Sequence, residues 1–164
     1  MTDMDKRHLV MERRAADNKY LHRDFHVTAD IGISYVGEHF GDTGVREYLT
    51  RYAKSFYKKL ADEVRAHGVL QIKDYIYKIF SAEERADYVS FSYEEGVLTV
   101  KIKKCPAIEA MREMSHTPSR WYAETTKTVY PALAEMSGVG FQLISYDDET
   151  GAAEFKFFEE GRAV

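Results

Sequence analysis

Tyr88-Val-Ser-Phe-Ser-Tyr-Glu-Glu-Gly-Val-Leu-Thr-Val-Lys-Ile-Lys-Lys104 decides the fold. Two runs of period two flank Glu94-Glu95-Gly96, so residues 88–93 and 97–103 read as a β-hairpin with Gly96 at the turn. In the second run Leu98, Val100 and Ile102 point one way and Thr99, Lys101 and Lys103 the other. That alternation calls for a sheet with one buried and one wet face. Upstream the period is helical. Residues 4–17 carry helix formers with Leu9, Val10 and Met11 but little sustained face. Phe25, Ala29, Ile33, Val36 and Phe40 recur at three- and four-residue spacing, which predicts a helix over 23–40 ended by Gly41. Asp42 or Thr43 caps a further helix to about His67, with Gly68 as its stop. Another runs over 70–79, after which Ser81-Ala-Glu-Glu offers a capping box.

Downstream of the hairpin come helical pieces over 106–114 and 119–136, separated by Pro118, with Pro131 expected to kink or shorten the second. A closing hairpin follows, with strands over 141–146 and 153–158 around Asp147-Asp-Glu-Thr-Gly151. Helices, hairpin, helices, hairpin is an α+β order. It implies N-terminal helices followed by a four-stranded antiparallel sheet, built from two hairpins with two helices between them and covered on one face. At 164 residues the chain forms a single domain over 1–164, with 1–20 a loosely attached N-terminal helix. The 45% hydrophobic content supports a full core, and the net charge of −4 with scattered bases disfavours nucleic acid. No apolar run reaches membrane-spanning length, no signal core opens the chain, and one cysteine cannot form an internal disulfide. A cytoplasmic location is expected.

That cysteine, Cys105, stands between the second strand and Pro106, a residue favoured at the first helical position. Cys105 is therefore an N-cap facing unpaired N–H groups and the positive end of the helix dipole, a setting that can lower a thiol's pKa and make it nucleophilic. The alternative is a small buried apolar side chain. Glu124 is a candidate general acid or base, or else a first-turn carboxylate and partner of Lys127. His116, in the connection Ser115-His-Thr-Pro118, is placed to exchange protons with a thiol or a water, unless it is simply exposed. His22, His26 and Asp30, spaced by four, offer a divalent metal two imidazoles and a carboxylate, or form a solvated stripe opposite the Phe25, Ala29 and Ile33 face. No other cofactor is expected. Gly32 and Gly37 read as sites of close helix approach.

Asp24-Phe25-His26, Gly44-Val-Arg-Glu-Tyr-Leu49, the block Leu98-Thr-Val-Lys-Ile-Lys-Lys-Cys-Pro-Ala-Ile108, Glu124-Thr125 and Tyr146-Asp-Asp-Glu-Thr-Gly151 together resemble the L-2-amino-thiazoline-4-carboxylic acid hydrolase family. The likeness spans roughly residues 22–158. It implies a hydrolase that opens a cyclic amidine at a C–N or C–S bond, yielding S-carbamoyl or N-carbamoyl cysteine. Cys105, Glu124 and His116 would be the catalytic candidates, and Trp121, Tyr122, Thr125 and His26 the substrate-binding ones. Where the family pattern carries further cysteines this chain reads Ala123 and Ala152-Ala153, so any metal or redox set built from them is missing. The element order is also distantly similar to vinyl-reductase-like and haem-NO-binding-like domains. On that likeness a cavity between helices and sheet would hold an apolar or planar ligand against Trp121, Tyr122 and Phe91, without chemistry. A homodimer joined through exposed tyrosines and a sheet edge is the third reading.

Overall fold

The computed structural model describes residues 21–159; the helix expected over 4–17 and the ends of the chain lie outside them. Helix α1 (Leu21–Phe56) is followed by α2 (Lys58–His67) and α3 (Leu70–Ala82). A 3₁₀ turn (Ala86–Tyr88) leads into β1 (Val89–Glu94) and β2 (Val97–Ile102). Then come α4 (Pro106–Glu113), α5 (Glu124–Lys127), α6 (Val129–Ser137), β3 (Val139–Tyr146) and β4 (Ala153–Glu159). The α+β order is as the periodicities require. The strands form one antiparallel sheet in the order β1-β2-β4-β3. Glu95 (φ 50°) and Gly96 (φ 85°) both take positive φ at the first hairpin turn, the backbone that suits strand twist.

One sheet face is sealed. Leu98, Val100, Phe155 and Phe157 on the two central strands are fully buried, with Leu98 opposite Phe157 and Val100 opposite Phe155. Ile72, Ile76 and Phe80 of α3 and Val64 of α2 complete this sheet-side core. A second apolar cluster joins Ile33, Val45, Leu49 and Ala53 of α1 to Ala107, Ile108 and Met111 of α4, with Tyr122 and Val129. Between β3 and β4 the register slips at Leu143 and Ser145, leaving Ile144 unpaired and 45% exposed. This bulge inverts the alternation. Tyr146 therefore pairs with Ala153 on the inward face already used by Phe141 and Leu143.

The helix stop expected at Gly41 holds: at φ 67°, ψ −169° the residue breaks α1 into two helical halves, in a conformation that strains any residue with a side chain. Other helix boundaries differ from the sequence expectation. A further break falls at Tyr57, where i→i−4 bonding carries across through Tyr57 N to Ala53 O and Ala61 N to Tyr57 O. Ser81 lies in the last turn of α3 rather than capping a new helix. Pro131 acts as expected. The 119–136 stretch splits at Thr128 into α5 and α6, because proline offers no N–H to the preceding turn and crowds the carbonyl of residue 127. Residues 119–123 form turns rather than helix.

The inward face of α1's first half is also corrected. Phe25 and Phe40, expected to be buried, are 58% and 69% exposed, whereas Asp30 is 1% exposed. Of the stripe expected in solvent, His26 and Asp30 face the protein. Among the described residues no helix is long and apolar enough to cross a membrane.

Candidate functional site

Cys105 leaves β2 and opens α4 with extended backbone, as an N-cap, with Pro106 next. Its amide donates to Thr150 O at 2.9 Å. The β3–β4 turn holds that carbonyl in place, since Asp147 Oδ1 accepts from Glu149 N, Thr150 N and Thr150 Oγ1 at 3.0, 2.7 and 2.9 Å. Those bonds hold the Asp147 carboxyl below its usual range, the Thr150 N–H most of all. Gly151, at φ 69°, closes the turn against the cysteine. A Cβ there would lie 2.4 Å from Cys105 Cβ and 2.9 Å from Ile108 Cδ1.

The cap position alone would lower the thiol's pKa; the fold reverses the direction. Burial pushes the Cys105 thiol up, the Ile108 and Ala107 N–H groups pull it down by less, and Glu83 adds to the rise. No side-chain hydrogen bond closes the cap. Burial thus favours the neutral thiol over the thiolate that the cap alone would promote.

Around it stand several phenols, of which only Tyr122 is a site candidate in the sequence. Burial raises Tyr122, Tyr130 and Tyr146, and in each the next influence is Cys105. Tyr122 also feels Asp30 and Glu83, and Tyr146 takes a hydrogen bond from Thr126. Tyr57, raised by burial first, feels Tyr130 next. Tyr130 packs on the sheet-side core, against Phe155 at 4.8 Å between ring centroids, while Cys105 and Tyr57 pack on the helical one. Cys105 and Tyr130 lie deep in the molecule, yet both keep accessible surface. The seam between the two apolar clusters thus brings one thiol and several phenols together.

Two carboxylate–imidazole pairs flank the seam. Asp30 Oδ2 lies 2.8 Å from His116 Nε2 and accepts from Ser119 N at 2.9 Å, while Asp30 Oδ1 accepts from Ser119 Oγ at 2.8 Å. His26 Nε2 lies 2.9 Å from Glu83 Oε1. His26 and Asp30, one turn apart on α1, are thereby spent on different partners; the side chain of His22 lies outside those described. Among the described residues no group of three or more histidine, cysteine or acidic side chains is arranged to hold a metal.

The remaining candidates sit further out. Glu124 pairs with Arg46 Nη1 at 3.6 Å and accepts from Thr128 Oγ1, while Lys127 pairs with Asp148 rather than Glu124. Thr125 Oγ1 donates to Tyr122 O at 2.6 Å, a structural role. Trp121 Nε1 donates to Asp42 Oδ1 at 2.7 Å, and Arg120 covers its ring at 4.3 Å. The indole lies flat on α1: a Cβ at Gly37 would meet it at 2.4 Å, while one at Gly32 would meet nothing within 4 Å. The close approach expected at these glycines is therefore a side chain's, at Gly37 alone. Gly37→Ala is expected to push Trp121 off the helix, shift its fluorescence toward that of exposed indole, and cost about 1–3 kcal/mol in denaturant unfolding.

Searches against protein-family models, characterised proteins and solved structures gave no match.

Proposed function

We propose that the protein binds a small, compact, acceptor-rich molecule in the seam between its helical layer and its sheet. The observation that carries this reading is the convergence of the Cys105 thiol and the Tyr122, Tyr130 and Tyr146 phenols on one buried seam, with burial favouring the protonated form of all four. Neutral thiols and phenols donate hydrogen bonds. Their natural complement is a ligand rich in carbonyl, carboxylate or ring-nitrogen acceptors. A carboxylate-bearing heterocycle of the 2-amino-thiazoline kind has that chemistry and suits the resemblance in the Cys105 block. Calorimetric titration with 2-amino-thiazoline-4-carboxylate is expected to give saturable binding, weakened about tenfold in Tyr130→Phe by loss of one hydrogen bond to a charged group. No heat of binding, or equal affinity in Tyr130→Phe, would contradict it.

The Asp30–His116 pair favours a second reading, hydrolysis of that ligand. A buried carboxylate fixes the imidazole's orientation through its contact at Nε2, and the His116 side chain is still 26% exposed. In this reading His116 accepts a proton from water as the oxygen adds to the amidine carbon. Breaking the ring C–N bond, with a proton delivered to nitrogen, gives S-carbamoyl cysteine; breaking C–S gives the N-carbamoyl isomer. The thiol stays protonated throughout. His116→Ala would then reduce turnover about 10²-fold or more, whereas Cys105→Ala would retain it. The reverse pattern would return the nucleophile's role to the thiol, and binding without turnover leaves the first reading alone.

A further inference from the structure

The two halves of α1 are attached in different ways. Beyond Gly41, Val45, Leu49 and Ala53 are buried in the helical core at 0%, 4% and 0% exposure. Before it, Ile33 is the one large apolar side chain fully buried among those described, while Phe25, Ile31, Tyr35 and Phe40 face outward. The first half buries less apolar surface, with Val27 and Val36 only partly buried beside Ile33, and adds polar contacts. Asp30 takes three hydrogen bonds from His116 and Ser119, and His26 pairs with Glu83. Ile33, one turn on from Asp30, packs in one cluster with Ala107, Ile108 and Met111 of α4 and with Tyr122, on the helical side of the seam. At the junction the helix is already broken, with Gly41 in a conformation only glycine takes freely. Asp42, just past it, is pinned to Trp121 and Arg120.

We infer that residues 25–40 form a lid over the seam, hinged at Gly41 and latched by Asp30. This rests on the seam being the binding site, and it gives a ligand its way to the buried thiol and phenols. Hinges are short segments that absorb a backbone change between bodies that otherwise stay rigid. Segments with few buried apolar contacts open below the global unfolding free energy. The lid meets both conditions, and its latch is a carboxylate whose three donors all belong to one short connection, residues 116–119.

Cys105 reports on the lid without any ligand, because it is the chain's sole cysteine. Asp30 is the right residue to change, since Glu83, and not Asp30, is the carboxylate that acts on the thiol. N-ethylmaleimide labelling of the native full-length protein is expected to run about tenfold faster in Asp30→Asn than in the wild type, with Ser119→Ala between them. Val100→Ala, which weakens the sheet far from the latch, is expected to leave the native-state rate unchanged. Hydrogen exchange of the wild type is expected to be faster over 25–40 than over 45–53. Wild-type labelling rates in both latch variants, equal acceleration by Val100→Ala, or equal exchange in the two halves would each overturn the lid. If Asp30→Asn does not fold, Ser119→Ala and the exchange comparison decide the matter. No ligand enters these measurements, so failure of the binding reading would show separately in the titration.

Discussion

Replacing Asp30 with alanine is expected to weaken the hold of α1 on the connection after α4 by about 1–3 kcal/mol for each buried donor left without an acceptor. The carboxylate is 1% exposed and engages His116 Nε2, Ser119 N and Ser119 Oγ. Alanine leaves all three without their acceptor, and an unmet buried donor costs more than a formed bond gains. The exposed ion pairs make the contrast. Lys127–Asp148 and Arg120–Asp42 have comparable lengths of 2.9 and 3.0 Å, yet each is worth only about 0–1 kcal/mol in solvent. The loss at Asp30 is expected to appear locally. Trp121, the only tryptophan, rests on Gly37 in the first half of α1, so its fluorescence reports on that half while circular dichroism reports on the whole. In wild-type denaturant unfolding the two transitions should coincide. In Asp30→Ala the Trp121 transition should come first, and coincident, unshifted transitions would contradict both the cost and its location.

The strands and their inward faces were legible because period two has a single solution once one face is dry. Leu98, Val100 and Ile102 could face nothing but the core. Pro131 was legible because its effect is covalent. The first half of α1 was not, since its orientation is set by Asp30, whose partners lie 86 and 89 residues away in sequence. Nothing within the helix outweighs Phe25 and Phe40 on an apolarity count. Gly37 gave a true signal of close approach but not of what approaches. At Cys105 the N-cap was readable, whereas the sign of the thiol's shift depends on burial, which comes from distant parts of the chain. Tyr146 is similar: only the bulge at Ile144 turns it inward, and no residue there announces a bulge. Tyr130 carried no local mark at all, and its role rests on where α6 falls across the sheet.

Alkaline unfolding should be early and steep, and the phenols that border the seam are its cause. Burial raises Tyr57, Tyr122, Tyr130 and Tyr146 above the usual tyrosine range. In the unfolded chain these groups ionise near pH 10. Above that pH the unfolded state binds fewer protons than the folded one, so stability falls as pH rises. The contribution is fully present below about pH 10 and is lost progressively as pH climbs toward the folded values. Each phenol that stays protonated in the fold removes at most about 1.4 kcal/mol per pH unit in that window, so four together remove up to about 5 kcal/mol per unit. A domain of ordinary stability has little more than that to lose. Followed by tyrosinate absorbance and circular dichroism together, the exposed tyrosines should titrate first, and the buried ones should ionise in one cooperative step with loss of structure. Tyr130→Phe should move that step to higher pH, because a ring without a hydroxyl cannot ionise in the unfolded chain. Smooth ionisation of all the tyrosines with helix and sheet intact would show that the phenols are open to water. A seam that admits hydroxide so freely would not hold its hydroxyls as fixed neutral donors, and the complementarity to an acceptor-rich ligand would go with it.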